Sequence, residues 1–337
     1  MSARLVGLAA IATCLAACDR GTRSNQPFPM SNTCTQDLLF PSLDKPLDGM
    51  VWIPAGSASM GANPQYVEER TSSTATTDGF WMSPYEVTIA QYAAFVSATG
   101  YITLAERAID PTAYPAIDPD LLVPGGAVFT QPETVDTQRM NWWSFVPAAH
   151  WRQPRGPDAA STISGDLPVT QISIEDARAY ADWLGHELPS EEEWEYAAIG
   201  GVQGQKYPWG DQPTVDGKAQ ANHWQGLFPT LNTVEDGFEG AAPVGCFSAN
   251  GYGLYDIVGN VWEIVETNYS PVRDRQSVRG PVTIKGGSFL CAENFCGRFR
   301  PSARQPQERD LTTNHVGFRT IVRNAPPQLM SGQIVGD

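Results

Sequence analysis

The 31 glycines and 27 prolines spread along this 337-residue chain limit its fold more than any other feature. Proline fixes φ and removes a donor, and glycine opens conformations that break regular elements, so turns dominate and long helices are excluded. Hydrophobic residues at 42% and charged residues at 18% still supply a core and argue against disorder. The formal charge is −15. A phosphate backbone requires a basic face, so nucleic acid is not expected as a partner. No composition shift divides residues 48–324, and a single coil-rich α+β domain of short helices and short antiparallel strands is the simplest reading.

The first residues read as an address. Arg4 precedes an apolar run from Leu5 to Leu15, too short to span a bilayer but of the length of a secretory signal. It ends in Leu15-Ala16-Ala17-Cys18, which resembles a bacterial lipobox. Residues 1–17 are then a signal peptide, and Cys18 is the lipidated first residue of the mature chain. Residues 18–47 form a tether, 48–324 the folded domain and 325–337 a tail. Asp19 resembles an inner-membrane retention signal, so the expected location is the periplasmic side of the inner membrane, with the lipid as sole membrane contact.

Three helices are legible from their caps. Thr88-Ile-Ala-Gln91 forms a capping box and Gly100 a stop. Ser173 opens a second helix ended by Gly185, and Ser190 a third ended by Gly200. Met50–Ile53 and Val316–Ile321 read as strands.

Of six cysteines, Cys14 leaves with the signal and Cys18 carries lipid. Cys34, Cys246, Cys291 and Cys296 reach an oxidising compartment, where pairing is the default. The Cys291/Cys296 spacing alone suits either a local disulfide or half of a metal site. Zinc is disfavoured because no nearby Cys or His pair completes four ligands, whereas two thiolates suit copper(I).

The stretch Gly286-Gly-Ser-Phe-Leu-Cys291-Ala-Glu-Asn-Phe-Cys296 to Arg304 is one of four that reach a family. The others are Asn250 to Glu263, Leu188-Pro-Ser-Glu-Glu-Glu-Trp-Glu-Tyr196 and Gly317-Phe-Arg319. Together they resemble the formylglycine-generating enzymes, or sulfatase-modifying factors, from about Met50 to Arg323. The Trp-Glu and Gly-Phe-Arg elements mark the fold, and the cysteine pair after Gly-Gly-Ser marks the active branch.

The resemblance implies an oxidase that uses O2 and copper(I) to convert a Cys in a sulfatase Cys-x-Pro-x-Arg-type motif into Cα-formylglycine. On this chain it implies copper on Cys291 and Cys296, with Ser288 beside the reacting sulfur. Trp142 and Trp143 would line the substrate groove, and Arg298 and Arg304 would bind substrate. It implies two structural calcium sites. The first uses side-chain oxygens of Asn222 and Asp236 and the carbonyls of His223 and Phe238. The second uses Asp256 and Glu263 with the carbonyls of Gly259 and Val261. Ala181, Ala198, Pro301 and Thr320 stand where vertebrate members carry two disulfides, which leaves Cys34 and Cys246 as an expected long-range bridge. The competing expectation is an exported lipoprotein of the same fold, catalytically silent, acting as a binding or scaffold protein.

Overall fold

A computed structural model describes residue 34 and residues 41–71, 73–159, 163–273, 277 and 280–323. The signal peptide, Cys18, most of the tether and the tail lie outside the described residues. The architecture is the expected α+β one, with three helices, many short strands and much coil.

Helix α1 (Ile89–Thr99), α2 (Ile174–Leu184) and α3 (Glu191–Ile199) begin and end where their caps dictate. Thr88, Ser173 and Ser190 each accept the N–H three residues on, and Gln91, Asp176 and Glu193 return the bond to the cap. Gly100, Gly185 and Gly200 close the helices at positive φ, where a Cβ would be strained. No helix among the described residues is long and apolar enough to cross a membrane.

Two sheets organise the rest. In one, Phe80–Met82 pairs antiparallel with Val51–Ile53 on one side and Ile321–Arg323 on the other. In the other the order is Arg304–Gln307, Val282–Lys285, Trp262–Asn268, Val316–Gly317, with only the last pair parallel. The expected single strand Val316–Ile321 is therefore two, in different sheets. The chain switches because Arg319, between them, turns its guanidinium inward onto both oxygens of Glu263 at 2.7 Å. Such a bidentate pair is a strong tertiary constraint that no period-2 pattern reports.

Aromatic rings from α1 and α2 fill one core around Tyr92, Phe95, Trp151, Tyr180 and Phe318. Trp194 and Tyr196 of α3 fill another with Ile53, Phe80 and Met82. A third, smaller cluster joins Phe129, Trp142, Trp224, Phe228, Phe289 and Leu290. It lies directly beside Cys291, whose carbonyl accepts the Trp224 N–H at 3.1 Å. Cys34 and Cys246 are joined by a disulfide across a sequence separation of 212.

Candidate active site

The site is a loop that leaves the Val282–Lys285 strand through two glycines. Gly286 and Gly287 both sit at positive φ, +89° and +82°. A Cβ on Gly287 would lie 2.5 Å from the Arg298 carbonyl and 2.7 Å from Phe299 Cα. The glycine thus lets the strand end pass directly under the far end of the cysteine loop. Gly287→Ala is expected to cost about 2–3 kcal/mol, from a left-handed β-carbon plus a backbone clash. Thermal unfolding would read the loss, and an unchanged melting temperature would show that the loop does not need this close approach.

Beyond the turn, Cys291 N–H donates to the Ser288 carbonyl and Cys296 N–H to the Ala292 carbonyl, both at 2.9 Å. These two turns bring the sulfurs to 3.4 Å. Both cysteines are free, Cys291 buried and Cys296 half-buried. Burial first, then the shared hydrogen bond, push the Cys291 thiol well above the ordinary range. The hydrogen bond from Cys291, with Arg298 beside it, brings Cys296 down to about 7. Cys296 is therefore the more acidic of the two sulfurs, and Cys291 is the donor to it when it ionises. Alkylation of Cys296 is expected to titrate near pH 7, while Cys291 stays slow to higher pH. A single midpoint above 8.5 for both would contradict this arrangement.

Arg298 is positioned from a distant part of the chain. Its Nη1 lies 3.8 Å from Cys296 Sγ, its Nη2 donates to Glu68 at 2.6 Å, and its plane covers the Tyr66 ring at 3.5 Å. The same segment is clamped at Glu69, which accepts from buried Arg300 at 2.6 Å. Arg298, expected as a substrate-binding residue, is half-buried, with its guanidinium held by the chain and turned to Cys296. Arg304 is corrected outright. It is 1% exposed, grips both oxygens of Glu191, and donates to the carbonyls of Glu68 and Ser270. A substrate cannot reach a guanidinium that the core already satisfies.

Ser288 is fully buried, and its Oγ accepts the Leu290 N–H at 3.3 Å, so it braces the turn before Cys291. Trp142 is buried, edge-on to Phe228 and to exposed Phe295, the residue preceding Cys296. Trp143 is more open, and its ring lies 4.9 Å from His315. The two tryptophans therefore differ, Trp142 supporting an aromatic wall and Trp143 half-buried between Phe129 and His315. A cavity of about 560 Å3 lies beyond this cluster, lined in part by Phe129, Trp224 and Phe289. Neither cysteine borders it.

The expected calcium ligands occupy neighbouring ground. Asn222 Oδ1 is buried without a partner, while its amide donates to Gly240 and Asn260. Asp236 accepts the His223 and Phe238 N–H groups, and thereby lies against both residues whose carbonyls are expected to join it. Asp256 Oδ1 is buried without a partner, and burial pushes its carboxyl up to about 7. Glu263 has both oxygens on Arg319 and one also on Trp194, which leaves Oε1 with a single bond. Among the described residues no three His, Cys, Asp or Glu side chains gather as a metal cluster. A hard ion here has to draw on carbonyls as well.

Sequence reasoning missed Tyr66, Glu68 and Glu69, and also Glu86, whose Oε2 is a further buried, unpartnered carboxylate oxygen. Charge bookkeeping was the one available signal. Three arginines close behind a buried cysteine loop require acids, but the sequence does not say which.

An α+β fold of this sequence pattern, carrying a paired-thiol loop, is that of the sulfatase-modifying factors. Residues 35–325 match the family described as the sulfatase-modifying factor enzyme 1-like domain, and the chain belongs to it. The formylglycine-generating enzyme of Mycobacterium tuberculosis is 44% identical over 293 residues, covering 82% of this chain and 98% of that protein. The mouse inactive C-alpha-formylglycine-generating enzyme 2 is 42% identical over 185 residues, 53% of this chain and 57% of that protein. PvdO from Pseudomonas aeruginosa shares the fold, with a TM-score of 0.58 at 22% identity over 81% of this chain and 93% of that one.

Proposed function

We propose that this chain is an active formylglycine-generating oxidase, which converts a Cys in a Cys-x-Pro-x-Arg-type sulfatase motif to Cα-formylglycine with O2 and copper(I). The observation that carries this reading is the unbridged sulfur pair, 3.4 Å apart. An inactive relative at similar identity means that family membership does not by itself distinguish an enzyme from a binding protein. A pair left unbridged, where a structural role would favour a disulfide, favours the enzyme.

The donor set fits the ion: two sulfurs packed against the main apolar core suit a soft monovalent metal. Bound by Cys291 and Cys296, copper(I) would supply a sulfur-seeking centre at which O2 is reduced. Cys296 needs little cost to give up its proton, and Cys291 releases its own on ligation. Exposed Phe295 and half-buried Trp143 offer ring surface to an extended substrate, while Trp142 and Phe228 hold Phe295 in place. The substrate cysteine loses two electrons and two protons to O2, which leaves as hydrogen peroxide or, with two further electrons and protons from an external thiol reductant, as water; water then replaces the substrate sulfur, which leaves as sulfide.

The test is to load the purified protein anaerobically with copper(I), then supply a Cys-x-Pro-x-Arg peptide and air. Mass spectrometry should find the cysteine converted to aldehyde, and an unaltered peptide, where a known family member succeeds, would leave the binding reading in its place.

Two further assignments belong to this reading. Export with lipid on Cys18 would place the domain on the periplasmic side, beside sulfatases in transit; radiolabelled fatty acid should enter the wild type and not Cys18→Ser. Two calcium ions would satisfy the unpartnered oxygens of Asn222 and Asp256. Without the ion, the raised Asp256 favours the protonated folded state, so stability falls as pH rises from about 4 to about 7. Chelation is accordingly expected to lower the melting temperature more at pH 8 than at pH 5, with calcium restoring it. An equal effect at both pH values would remove Asp256 as the ligand.

A further inference from the structure

We propose that Arg298 is the counter-charge of the two-sulfur ion site, and that Tyr66 and Glu68 exist in this fold to hold it there. The inference rests on the copper(I) reading above and adds a requirement to it. Two thiolates around one monovalent cation leave a net charge of −1. That charge forms where Cys291 is 1% exposed and Cys296 is half-buried, so water cannot fully solvate it. An uncompensated charge in such a place weakens whatever creates it.

The nearby cations are not equivalent. Arg300 is spent on Glu69, Ser302 and the carbonyls of Gly297 and Asn63, and Arg304 on Glu191. Arg298 alone of the three has a nitrogen at a sulfur, Nη1 at 3.8 Å from Cys296. Its Nε is buried without a partner, so one donor of the fork remains unspent beside the loop. The guanidinium is also fixed in two directions. Tyr66 supports its face at 3.5 Å, and Glu68, 230 residues earlier, holds its edge at 2.6 Å. Tyr66 is itself tied to the loop, since its hydroxyl accepts the Gly297 N–H at 3.3 Å. Stacking and a charge-assisted bond together orient a guanidinium as they could not orient an ammonium. Glu68 accepts from Nη2, the terminal nitrogen not placed at the sulfur, and cancels part of the field, which limits the effect to about one or two powers of ten in affinity.

The experiment is an anaerobic competition for copper(I) between a chromophoric chelator and the wild type, R298K, R298Q and R298Q/E68Q. R298Q is expected to bind about 10- to 100-fold more weakly than wild type, and R298K, which keeps the charge without the stacked fork, to recover only part of that loss at a similar melting temperature. The double variant strands no carboxylate, so it serves if R298Q folds poorly, and it should be weakened by less than R298Q but by more than twofold. Binding within twofold of wild type by folded R298Q or by the double variant would overturn the proposal. Equal loss in R298K and R298Q, tracking a lost melting temperature, would also overturn it, as the mark of a merely structural arginine. A wild type that takes up no copper(I) would instead defeat the reading on which this inference rests.

Discussion

Cys296→Ser and Cys291→Ala should each lose formylglycine production to the limit of detection, at least about a thousandfold, while remaining folded. The two changes remove one sulfur from a pair 3.4 Å apart, and a single thiolate cannot replace a two-sulfur grip. Their structural costs should differ. Cys296 is half-buried at the end of a turn, so a serine there should cost under about 1 kcal/mol. Cys291 packs in the main core at 1% exposure, and its truncation should cost about 1–2 kcal/mol through the small cavity left. Activity assays beside thermal melts separate the effects. Retention of most activity in either variant would refute the shared role of the sulfurs.

Arg319→Leu should be the most destabilising single change at a distance from the sulfurs, by about 3–5 kcal/mol. Arg319 is fully buried and bonds both oxygens of Glu263, the Tyr255 carbonyl, and those of Ser83 and Pro84. Asp256 and Glu86 lie within its field, and burial pushes both acids up. In calcium-free protein lacking the guanidinium, three buried acids, Glu86, Asp256 and Glu263, face one another. The loss should therefore be larger at pH 8 than at pH 5, because raised acids favour the folded state only while protonated. Arg319→Leu with Glu263→Leu should recover part of the loss, since it removes the stranded charge as well as its partner. Chemical denaturation at the two pH values reads both effects. A cost below about 1 kcal/mol for Arg319→Leu at pH 8 would mean that the acids find cations elsewhere.

The sequence was informative wherever the cause was local. Thr88, Ser173 and Ser190 announce helices because a cap and its returning side chain lie three residues apart. Gly-Gly-Ser before the cysteine pair reads as a turn for the same reason, and the structure adds only what the glycines avoid, the backbone of Arg298 and Phe299. Information failed where the partner is remote. Val316 to Ile321 looks like one strand until Arg319 meets Glu263, 56 residues away. Arg304 looks like a free cation next to a reactive loop until Glu191 claims it from the start of α3, 113 residues earlier. The Tyr66–Glu69 segment carries no motif at all, yet it determines which arginine faces the sulfur. In a coil-rich fold, the choice of ion-pair partners is made by tertiary packing, and a residue's neighbours in sequence do not encode it.

Copper K-edge absorption on protein titrated anaerobically with copper(I) tests the central claim most directly. The account predicts one ion per chain with a sulfur-only first shell, lost in Cys296→Ser. A shell of nitrogen or oxygen, no uptake, or a Cys291–Cys296 disulfide recovered from active protein would contradict it.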